Sequence, residues 1–303
     1  MKNSTHQVSI IVLHFNTLQL TRNCLQSIYE FQGNLDYEVH LVDNASSDGS
    51  GLQLAQEFPE VRLQRLEQPL GFSAANNIAL RQAKGRYLLL LNSDTVLYNN
   101  ALEQALAYME QHTQVGITGV HLHKEDGTFD VACHRSLPTP ATAFFKMIGL
   151  SRLFPNSILL ARYNLTYLSP EETFPVDAIS GAFMMIRREA MEEVGLLDED
   201  FEFYGEDIDL CYRFRQAGWT VMYNGSIKVV HIKGGSTDHS DPWTINNFHN
   251  SMLIFYRKHF AHLYSSPLNL SVRIAVNLRK RIFLCRAAYL RRKWHREDTT
   301  RHP

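Results

Sequence analysis

Hydrophobic residues in the first 120 positions of the chain alternate between short unbroken runs and runs with helical spacing. Residues 8–13 form an apolar, β-branched run, which is typical of a strand that is buried on both faces. Between residues 20 and 31 the apolar positions instead recur every three or four residues, as on one face of a helix. The alternation continues with strands predicted at 38–42, 61–66, 87–91 and 115–120, and with helices at 47–58, 73–84 and 102–109. This spacing predicts βαβ units, and therefore an α/β fold with a mostly parallel central sheet flanked by helices.

The pattern weakens from His121 to Pro175, where four further prolines stand among short apolar clusters. We expect an irregular excursion over the sheet in this segment. Regular patterning returns with a strand within 176–186, a short helix from Arg188, a helix over 204–217, one or two strands within 221–230 and a helix over 244–259. A last, basic helix is predicted from about Ser271.

Composition and net charge exclude several classes of protein. The 303 residues are 45% hydrophobic and 20% charged, close to the average of globular proteins, which excludes a wholly disordered chain. A net charge of -1 argues against a protein that binds nucleic acid over its whole surface. None of the four cysteines lies in a CxxC pair, so neither a zinc knuckle nor a redox motif is indicated. No apolar run approaches the roughly 18 residues of a membrane span, and we expect a cytoplasmic protein.

Charge is concentrated at the C-terminal end of the chain. Ten of the 30 basic residues but only two of the 31 acidic residues lie between Arg273 and Arg301, so the rest of the chain carries a net charge of -9. The apolar residues of this segment have helical spacing, at Ala275, Leu278, Ile282, Cys285 and Tyr289. Such a helix either binds an anionic membrane, peripherally on the inner face of the cell membrane, or docks on the rest of the protein. No nucleic-acid-binding module surrounds the segment, and we expect no nucleic-acid partner.

Polar residues stand directly after several of the predicted strands. In a parallel α/β sheet, ligands bind at the carboxyl ends of the strands. A carboxylate or an amide there can read the base and the ribose hydroxyls of a nucleotide, and a second carboxylate can hold a divalent cation that neutralises a diphosphate. The residues in question are Asn16, Asp43, Asn44, Asn92, Ser93, Asp94 and His231, the last with a following stretch through Gly234-Gly235 to Ser236.

Four motifs, in one order, resemble those of the family 2 glycosyltransferases. They are Val42-Asp-Asn-Ala-Ser-Ser-Asp-Gly-Ser50, Gly71-Phe-Ser-Ala-Ala-Asn-Asn77, Leu91-Asn-Ser-Asp94 and Gly205-Glu-Asp-Ile-Asp-Leu-Cys-Tyr-Arg213. Each motif alone is weak, but four in register, over roughly residues 8–235, are a strong signal. The resemblance implies the GT-A fold and an inverting enzyme that uses a nucleoside diphosphate sugar. Within the family the chain looks most like the bacterial rhamnosyltransferase branch, which implies dTDP-rhamnose as the leading donor.

The resemblance assigns nucleotide-sugar-binding roles to the residues that match the first two motifs. Asp43 matches the acid that reads the base, and Asn16 and Asn44 stand beside the nucleotide. Asn76 and Asn77 match the amides of the donor loop.

The third motif carries the implied metal site. Asn92-Ser93-Asp94 stands where the family often has Asp-x-Asp, so Asn92 is a further donor-binding candidate and Asp94 matches the last acid. The amide at position 92 removes a negative charge, and we expect a modest metal affinity because divalent cations prefer carboxylate oxygens. His231 matches the ligand that completes the site in several relatives. The implied cofactor is Mn²⁺ or Mg²⁺ held by Asp94 and His231, and imidazole favours Mn²⁺.

The helix that begins at Gly205 is the candidate for acceptor chemistry. An inverting transfer needs a base on the acceptor hydroxyl. Asp207 aligns with the family's base, and Glu206 is the second candidate, because neighbouring helical residues face about 100° apart and only one can point at the reaction. Asp209 and Arg213 are four residues apart and are expected to form a structural ion pair.

Each assignment has a plainer alternative. Asp43 can be a turn former at a strand end, and the segment 92–94 can cap the next helix. The acids of 205–207 can be a charged first turn that complements the helix dipole. His231 can be a structural histidine, and Asn76-Asn77 can be surface residues of a helix.

We therefore expect a GT-A-like domain over residues 1–265, with a donor half to about residue 120 and an acceptor half after it, and a basic helical tail over 266–303. The expected reaction is metal-assisted transfer of a sugar to a hydroxyl of a saccharide or lipid-linked acceptor in bacterial surface-polysaccharide synthesis. Three rivals remain. A nucleotidyltransferase would need a Gly-rich, basic phosphate loop after the first strand, where residues 14–18 stand, and this sequence counts against it. An inactive sugar-nucleotide binder is slightly favoured by the amide at Asn92, but the presence of Asp94 and Asp207 counts against it. In a membrane-surface scaffold, only the tail would have a function.

Overall fold

The structure, a computed structural model, describes residues 6–31, 33–232 and 241–301, with side chains as far as Arg291. Its strands are β1 (His6–His14), β2 (Tyr37–Asp43), β3 (Arg62–Arg65), β4 (Gly85–Asn92), β5 (Thr95–Val96), β6 (Val115–His123), β7 (His134–Arg135), β8 (Thr173–Pro175), β9 (Ala178–Ile179), β10 (Phe183–Arg187) and β11 (Thr220–His231). Its helices are α1 (Leu18–Glu30), α2 (Ser50–Glu57), α3 (Phe72–Gln82), α4 (Ala101–Gln111), α5 (Pro140–Met147), α6 (Leu150–Leu153), α7 (Arg188–Val194), α8 (Glu206–Gln216), α9 (Pro242–His259) and α10 (Ser266–Arg301), with a 3-10 helix at Ala261–Leu263.

A nine-stranded sheet forms the centre of the described chain. Its order is β3-β2-β1-β4-β10-β6-β11-β5, and β8 adds to β11. The first four of these strands run parallel to one another. Ile10, Ile11 and Val12 of β1 are fully buried, because helices cover both faces of a parallel sheet. A central sheet flanked by helices confirms the predicted fold class.

β10 makes the sheet mixed rather than parallel throughout. It lies between β4 and β6 and runs antiparallel to both. β11 then pairs parallel with β6 and antiparallel with the two-residue strand β5. Because β5 follows β4 directly, this last pairing brings the end of β4 beside the end of β11, where Thr95 is opposite His231.

The excursion over residues 121–175 contains more regular structure than its sequence pattern predicts. β6 extends to His123, and the segment then forms β7, α5, α6 and β8. Pro140 occupies the first turn of α5, and the hydroxyl of Thr139 accepts a hydrogen bond from the backbone N of Thr142 at 3.3 Å. Because a proline has no N–H to satisfy, it suits the first turn of a helix. Pro140, which in the sequence pattern indicates irregular structure, is thus the first residue of a helix.

α10 begins at Ser266, five residues before the predicted start at Ser271. Pro267 again suits the first turn. The side chain of Asn269 ties this turn to the preceding elements, since its Oδ1 accepts a hydrogen bond from the hydroxyl of Tyr256 at 2.6 Å and its Nδ2 donates to the backbone of the 3-10 helix at 2.9 Å. The sequence pattern indicates a later start for α10, because the apolar repeat becomes clear only after the first turn of the helix.

α10 packs along α9. Val276 and Ala287 are buried, and the guanidinium of Arg279 lies 5.7 Å from the ring centre of Phe248 on α9 and 4.8 Å from that of Phe283. No helix in the described ranges has both the length and the apolar character to cross a bilayer.

The apolar positions predicted for the tail do not all face α9. Ala275 is half-buried, whereas Leu278, Ile282, Cys285 and Tyr289 are exposed. The side chains of Arg292 and Trp294, which belong to the same predicted segment, lie outside the described residues.

Candidate active site

A cavity of about 1010 Å³ collects several of the predicted site residues. Asn92 and Asp94 come from the end of β4, Glu206 and Asp207 open α8, and His231 ends β11, and all five line this cavity. The predicted catalytic and metal-binding residues are therefore brought together. The remaining nucleotide-binding candidates lie outside its lining, namely Asn16, Asp43, Asn44, Asn76 and Asn77.

His231 lies between two buried carboxylates. Its Nε2 is 3.3 Å from Oδ1 of Asp94, and its Nδ1 is 3.6 Å from Oδ2 of Asp130. Burial alone would lower the pKa of His231, but Asp130 and Asp94 outweigh burial and raise that pKa to about 9. Without a cation, the ring is therefore an imidazolium ion that neutralises part of this negative charge.

Strand pairing fixes the position of Asp94. The backbone carbonyl of Asp94 accepts a hydrogen bond from the backbone N of Ile232 at 2.8 Å, next to the pairing of Thr95 with His231. The predicted proximity of Asp94 and His231 thus follows from the backbone pairing of β5 with β11. The segment after Ile232, which includes Gly234, Gly235 and Ser236, lies outside the described residues.

The donor set at Asp94 and His231 suits a divalent cation in chemistry and spacing. Two neighbouring ligands of an octahedral cation, each at about 2.1 Å, are about 3.0 Å apart. The observed 3.3 Å between Nε2 of His231 and Oδ1 of Asp94 is close to that separation. The described residues nevertheless form no cluster of three or more Asp, Glu, His or Cys side chains arranged to hold a metal. Asp94 and His231 therefore offer two positions within the described part of the chain, and a bound metal would need further ligands.

Asp130 also belongs to this site, although it was not among the predicted site residues. It lies in the excursion between β6 and β7 and is 3% exposed. Its backbone N donates to the carbonyl of Leu122 at 2.9 Å, and its Oδ1 accepts from the backbone N of Ala132 at 3.0 Å. No motif surrounds Asp130 in the sequence. Its place beside His231 is seen only in the folded chain, where the segment after β6 returns to the end of β11.

An unusual backbone turn presents the two acidic residues that open α8. Tyr204 and Gly205 both have positive φ angles, +69° and +88°, immediately before the helix. A Cβ at position 205 would come within 3.1 Å of the ring of Phe201, so glycine suits both the conformation and the space. Glu206 and Asp207 then occupy the first turn, where the helix dipole favours negative charge.

Asp207 forms an ion pair with Arg135 of β7, whose Nη2 is 3.0 Å from Oδ2 of Asp207. Both side chains are largely buried and both residues line the cavity. Burial opposes the charged guanidinium, but Asp207 and Tyr163 reverse that effect and raise the pKa of Arg135. Arg135, like Asp130, lies in the excursion and was not among the predicted site residues.

Glu206 has a different environment from its neighbour. It is 8% exposed, and its Oε2 has no hydrogen-bond partner among the described residues. Burial, followed by the charge of Asp207, raises the pKa of Glu206 to about 8. The neutral form of Glu206 is therefore favoured, whereas its neighbour Asp207 has an arginine partner.

Asp209 is the structural member of this acidic cluster. Its Oδ2 is 2.7 Å from Nε of Arg213, the ion pair expected from their four-residue spacing. Its Oδ1 is 2.6 Å from Nε2 of His259 at the end of α9. Asp209 thus anchors α8 to α9.

The ends of β1 and β2 bring Asn16 and Asp43 together around Ser46. The backbone N of Asn16 donates to Oγ of Ser46 at 3.0 Å, and the backbone N of Ser46 donates to Oδ1 of Asp43 at 2.9 Å. Asp43 is buried beneath Gly51, where a Cβ would lie 2.1 Å from its Oδ2, and Nε of Arg65 is 3.6 Å from the same oxygen. These bonds are those of a strand-end turn, and the recognition of a base by Asp43 stays a prediction.

Three asparagines from the motifs bind protein atoms. The side chain of Asn44 exchanges hydrogen bonds with the backbone of Leu70 at 2.8 and 2.9 Å. Asn77 does the same with Leu197 at 2.9 and 3.1 Å, and Asn76 donates to the carbonyl of Phe72 at 2.8 Å. Asn76 and Asn77 are buried, so the alternative that they are surface residues is wrong. Their role toward a donor stays a prediction.

A family model described as glycosyl transferase family 2 matches residues 9–195. The chain belongs to this family. The resemblance drawn from the four motifs is therefore confirmed, and this family 2 member is a glycosyltransferase. The match includes Asp43 and Asp94 but ends before α8, so Glu206 and Asp207 rest on their geometry and on the fourth motif.

Curated proteins with related sequences include transferases of glycan synthesis. The chain is 27% identical over 257 residues to the N-acetylglucosaminyl-diphospho-decaprenol L-rhamnosyltransferase of Mycobacterium tuberculosis, covering 81% of this chain and 83% of that protein. It is 28% identical over 234 residues to the O-antigen biosynthesis protein RfbC of Myxococcus xanthus, covering 77% of this chain but only 18% of that protein.

Several solved structures share the fold of this family 2 member. One is mannosyltransferase PcManGT from Pyrobaculum calidifontis in complex with GDP-Man and Mn²⁺, with a TM-score of 0.58 and 20% identity over 94% of this chain and 73% of that chain. Another is S. aureus TarS 1-349 in complex with UDP, with a TM-score of 0.51 and 16% identity over 82% of this chain and 65% of that chain. The predicted GT-A fold is confirmed.

Proposed function

We propose that the protein is an inverting glycosyltransferase of polysaccharide synthesis that moves a sugar from a nucleoside diphosphate sugar to a hydroxyl of a saccharide or lipid-linked acceptor. The leading donor is dTDP-rhamnose, and the name of the mycobacterial relative supports both rhamnosyl transfer and a lipid diphosphate acceptor. The proposal is carried by one observation: the carboxyl groups of Glu206 and Asp207 share a cavity with the pair of Asp94 and His231.

Asp207 is proposed as the base. The acceptor oxygen forms a bond to the anomeric carbon while the bond from that carbon to the diphosphate oxygen breaks, and the hydroxyl proton passes to the carboxylate of Asp207. The electron pair of the broken bond leaves with the nucleoside diphosphate. The ion pair with Arg135 supports this role, because it holds a charged carboxylate in the cavity at a fixed place.

Glu206 is proposed to assist as a protonated acid. A carboxyl group that is mostly protonated at pH 7 cannot accept the acceptor proton efficiently, but it can donate a hydrogen bond. Glu206 lines the same cavity as Asp207, and its Oε2 has no hydrogen-bond partner among the described residues. The two neighbours are thus proposed to differ in role because, among the described residues, Arg135 forms its ion pair with Asp207 and not with Glu206.

Asp94 and His231 would hold two positions of a divalent cation, Mn²⁺ or Mg²⁺. When bound, such a cation supplies positive charge for the departing diphosphate. Asp130 lies on the far side of the imidazole and would orient the His231 ring, as carboxylates commonly do for metal-binding histidines. The Mn²⁺ in the PcManGT complex supports a divalent cation for this fold.

The donor nucleotide is proposed to lie toward the ends of β1 and β2. Asn16 and Asp43, together with Asn44, would contact the base and ribose there, and Asn92 would contact the donor beside Asp94. Asn76 and Asn77 would reach it only by exchanging their present bonds. On this proposal residues 1 to about 120 bind the donor, residues 121–265 bind the acceptor, and residues 266–303 form the tail.

α10 is proposed to hold the protein peripherally against an anionic membrane surface, on the inner face of the cell membrane. Four exposed apolar residues follow one another at four-residue intervals along it, and each is more than half exposed: Leu270, Ile274, Leu278 and Ile282. Arg273 and Arg281 are exposed beside this row. Such a helix surface can insert apolar side chains at the boundary of a bilayer while its arginines contact lipid phosphates.

Replacing Asp207 with Asn should remove the base while preserving the shape of the site. We expect turnover to fall by roughly 10²–10⁴ with binding of the donor retained. Glu206→Gln, which keeps a neutral hydrogen-bond donor, should lose much less. Steady-state kinetics on both variants, with thermal denaturation to verify folding, provides the measurement. A nearly active Asp207→Asn beside an inactive Glu206→Gln would reverse the two roles.

Replacing Asp94 with Ala should abolish the dependence of donor binding on metal. Calorimetric titration of dTDP-rhamnose in Mn²⁺ and in excess chelator measures this dependence for the parent protein and the variant. Asp126→Ala, which removes an exposed carboxylate from the loop before β7, should behave like the parent. Equal affinity of the parent protein with and without chelator would refute the metal role.

Replacing Leu278 with Glu should weaken binding to vesicles that contain anionic phospholipid by at least about tenfold, because it removes an inserted apolar side chain and adds a repelled charge. Asn277→Glu adds the same charge at a neighbouring exposed position and should have a smaller effect. Binding of the parent protein should weaken but persist as salt rises, since salt screens only the arginines. Failure of the parent protein to sediment with such vesicles would rule out the membrane proposal.

A further inference from the structure

The cavity that holds the carboxyl groups of α8 extends into a second, apolar arm. This arm lies between α5, α9 and α10. Its walls include Phe144, Met147, Phe248, Met252, Phe255 and Val272. At about 1010 Å³ the whole cavity reaches the upper end of the range for sites that hold drug-sized ligands, so it has room beyond a sugar and a diphosphate.

A half-buried cation stands in the lining of the apolar arm. Arg279 of α10 contacts the rings of Phe248 and Phe283 and the sulfur of Met252, 3.9 Å away, and no described carboxylate forms an ion pair with it. Burial lowers the pKa of Arg279. An unneutralised guanidinium in an apolar wall fits an anionic group of a ligand, because a buried charge is favourable only when it is compensated.

The segment that forms the opposite wall carries apolar side chains into solvent. Phe144 of α5 lines the cavity and is 52% exposed. The residues that follow it include five more large apolar side chains that are more than half exposed, at Ile148, Leu153, Phe154, Ile158 and Leu159. The segment that begins with α5 and the exposed row of α10 thus both present apolar surface to solvent. A hydrocarbon chain that leaves the arm would therefore meet apolar side chains on both sides.

We propose that the apolar arm holds the first part of the hydrocarbon chain of a lipid-linked acceptor, with Arg279 on its phosphate. This inference rests on the proposed function, because it takes the acceptor hydroxyl to lie at Asp207. The lining of one cavity then offers a group for each part of such a molecule: a base for the hydroxyl, a cation for the phosphate and apolar walls for the chain. A free saccharide would match only the first of these.

A bulky substitution in the arm, with the same substitution outside it, tests the assignment. Ala275 lines the arm from α10, and Ala288 lies exposed on the same helix outside the cavity lining. We expect Ala275→Phe to raise the dissociation constant of farnesyl diphosphate at least about tenfold, because each methylene kept out of an apolar site costs about fourfold in affinity. Ala288→Phe should bind farnesyl diphosphate like the parent protein. Inorganic diphosphate should bind equally to all three proteins.

A chain-length series in the parent protein supports the test should Ala275→Phe fail to fold. Farnesyl diphosphate should bind at least about tenfold more tightly than geranyl diphosphate, which is one isoprene unit shorter. Arg279→Gln should weaken the binding of farnesyl diphosphate and leave that of farnesol unchanged. Equal affinity for both chain lengths, or equal effects of the two Phe substitutions, would overturn the inference.

These binding measurements use no donor and no turnover. A protein that binds the farnesyl chain in the arm but transfers no sugar would contradict the proposed function and leave the arm as a lipid site. A protein that transfers sugar but shows no preference for chain length would contradict the lipid site alone.

Discussion

The first turn of α8 buries three carboxyl groups within four residues, and the elements around it supply the compensation. Asp209 pairs with Arg213 and His259, and Asp207 pairs with Arg135. A buried carboxylate without a partner would cost several kcal/mol, so α8 can pack here only because partners come from Arg213 in α8 itself, from β7 and from the end of α9. The excursion between β6 and β8 and the helix α9 are therefore held at the place where the chemistry is proposed.

The three carboxyl groups of this turn differ in the partners that compensate for their burial, and their proposed roles differ accordingly. Asp209 has two partners, is fully buried and anchors helices, whereas Asp207 has one partner and borders the cavity. Glu206 has no described partner at its Oε2, and burial keeps it mostly protonated at neutral pH. The proposed base and the proposed hydrogen-bond donor are thus adjacent residues of one helix that differ in their partners. The same cavity then leads from these groups to the apolar arm.

The sequence predicts the parts of the site that follow from regular structure. Asp94 and His231 stand at strand ends, and the pairing of β5 with β11 makes them neighbours as expected. Asp130 and Arg135 were missed because they lie in the excursion, where neither a periodic pattern nor a motif marks them. Ala275 was assigned to an apolar stripe, but periodicity cannot distinguish a residue that lines a cavity from its exposed neighbours, because both recur with the helix turn.

Carboxyl NMR measures the protonation of Glu206 most directly, in protein labelled with ¹³C at the side-chain carboxyl of glutamate. The Glu206→Gln variant identifies the signal of Glu206 by its absence. We predict that this signal titrates around pH 8, while the exposed glutamates titrate around pH 4–5. If Glu206 instead titrates with the exposed glutamates and is fully ionised at pH 7, the division of roles between Glu206 and Asp207 is contradicted.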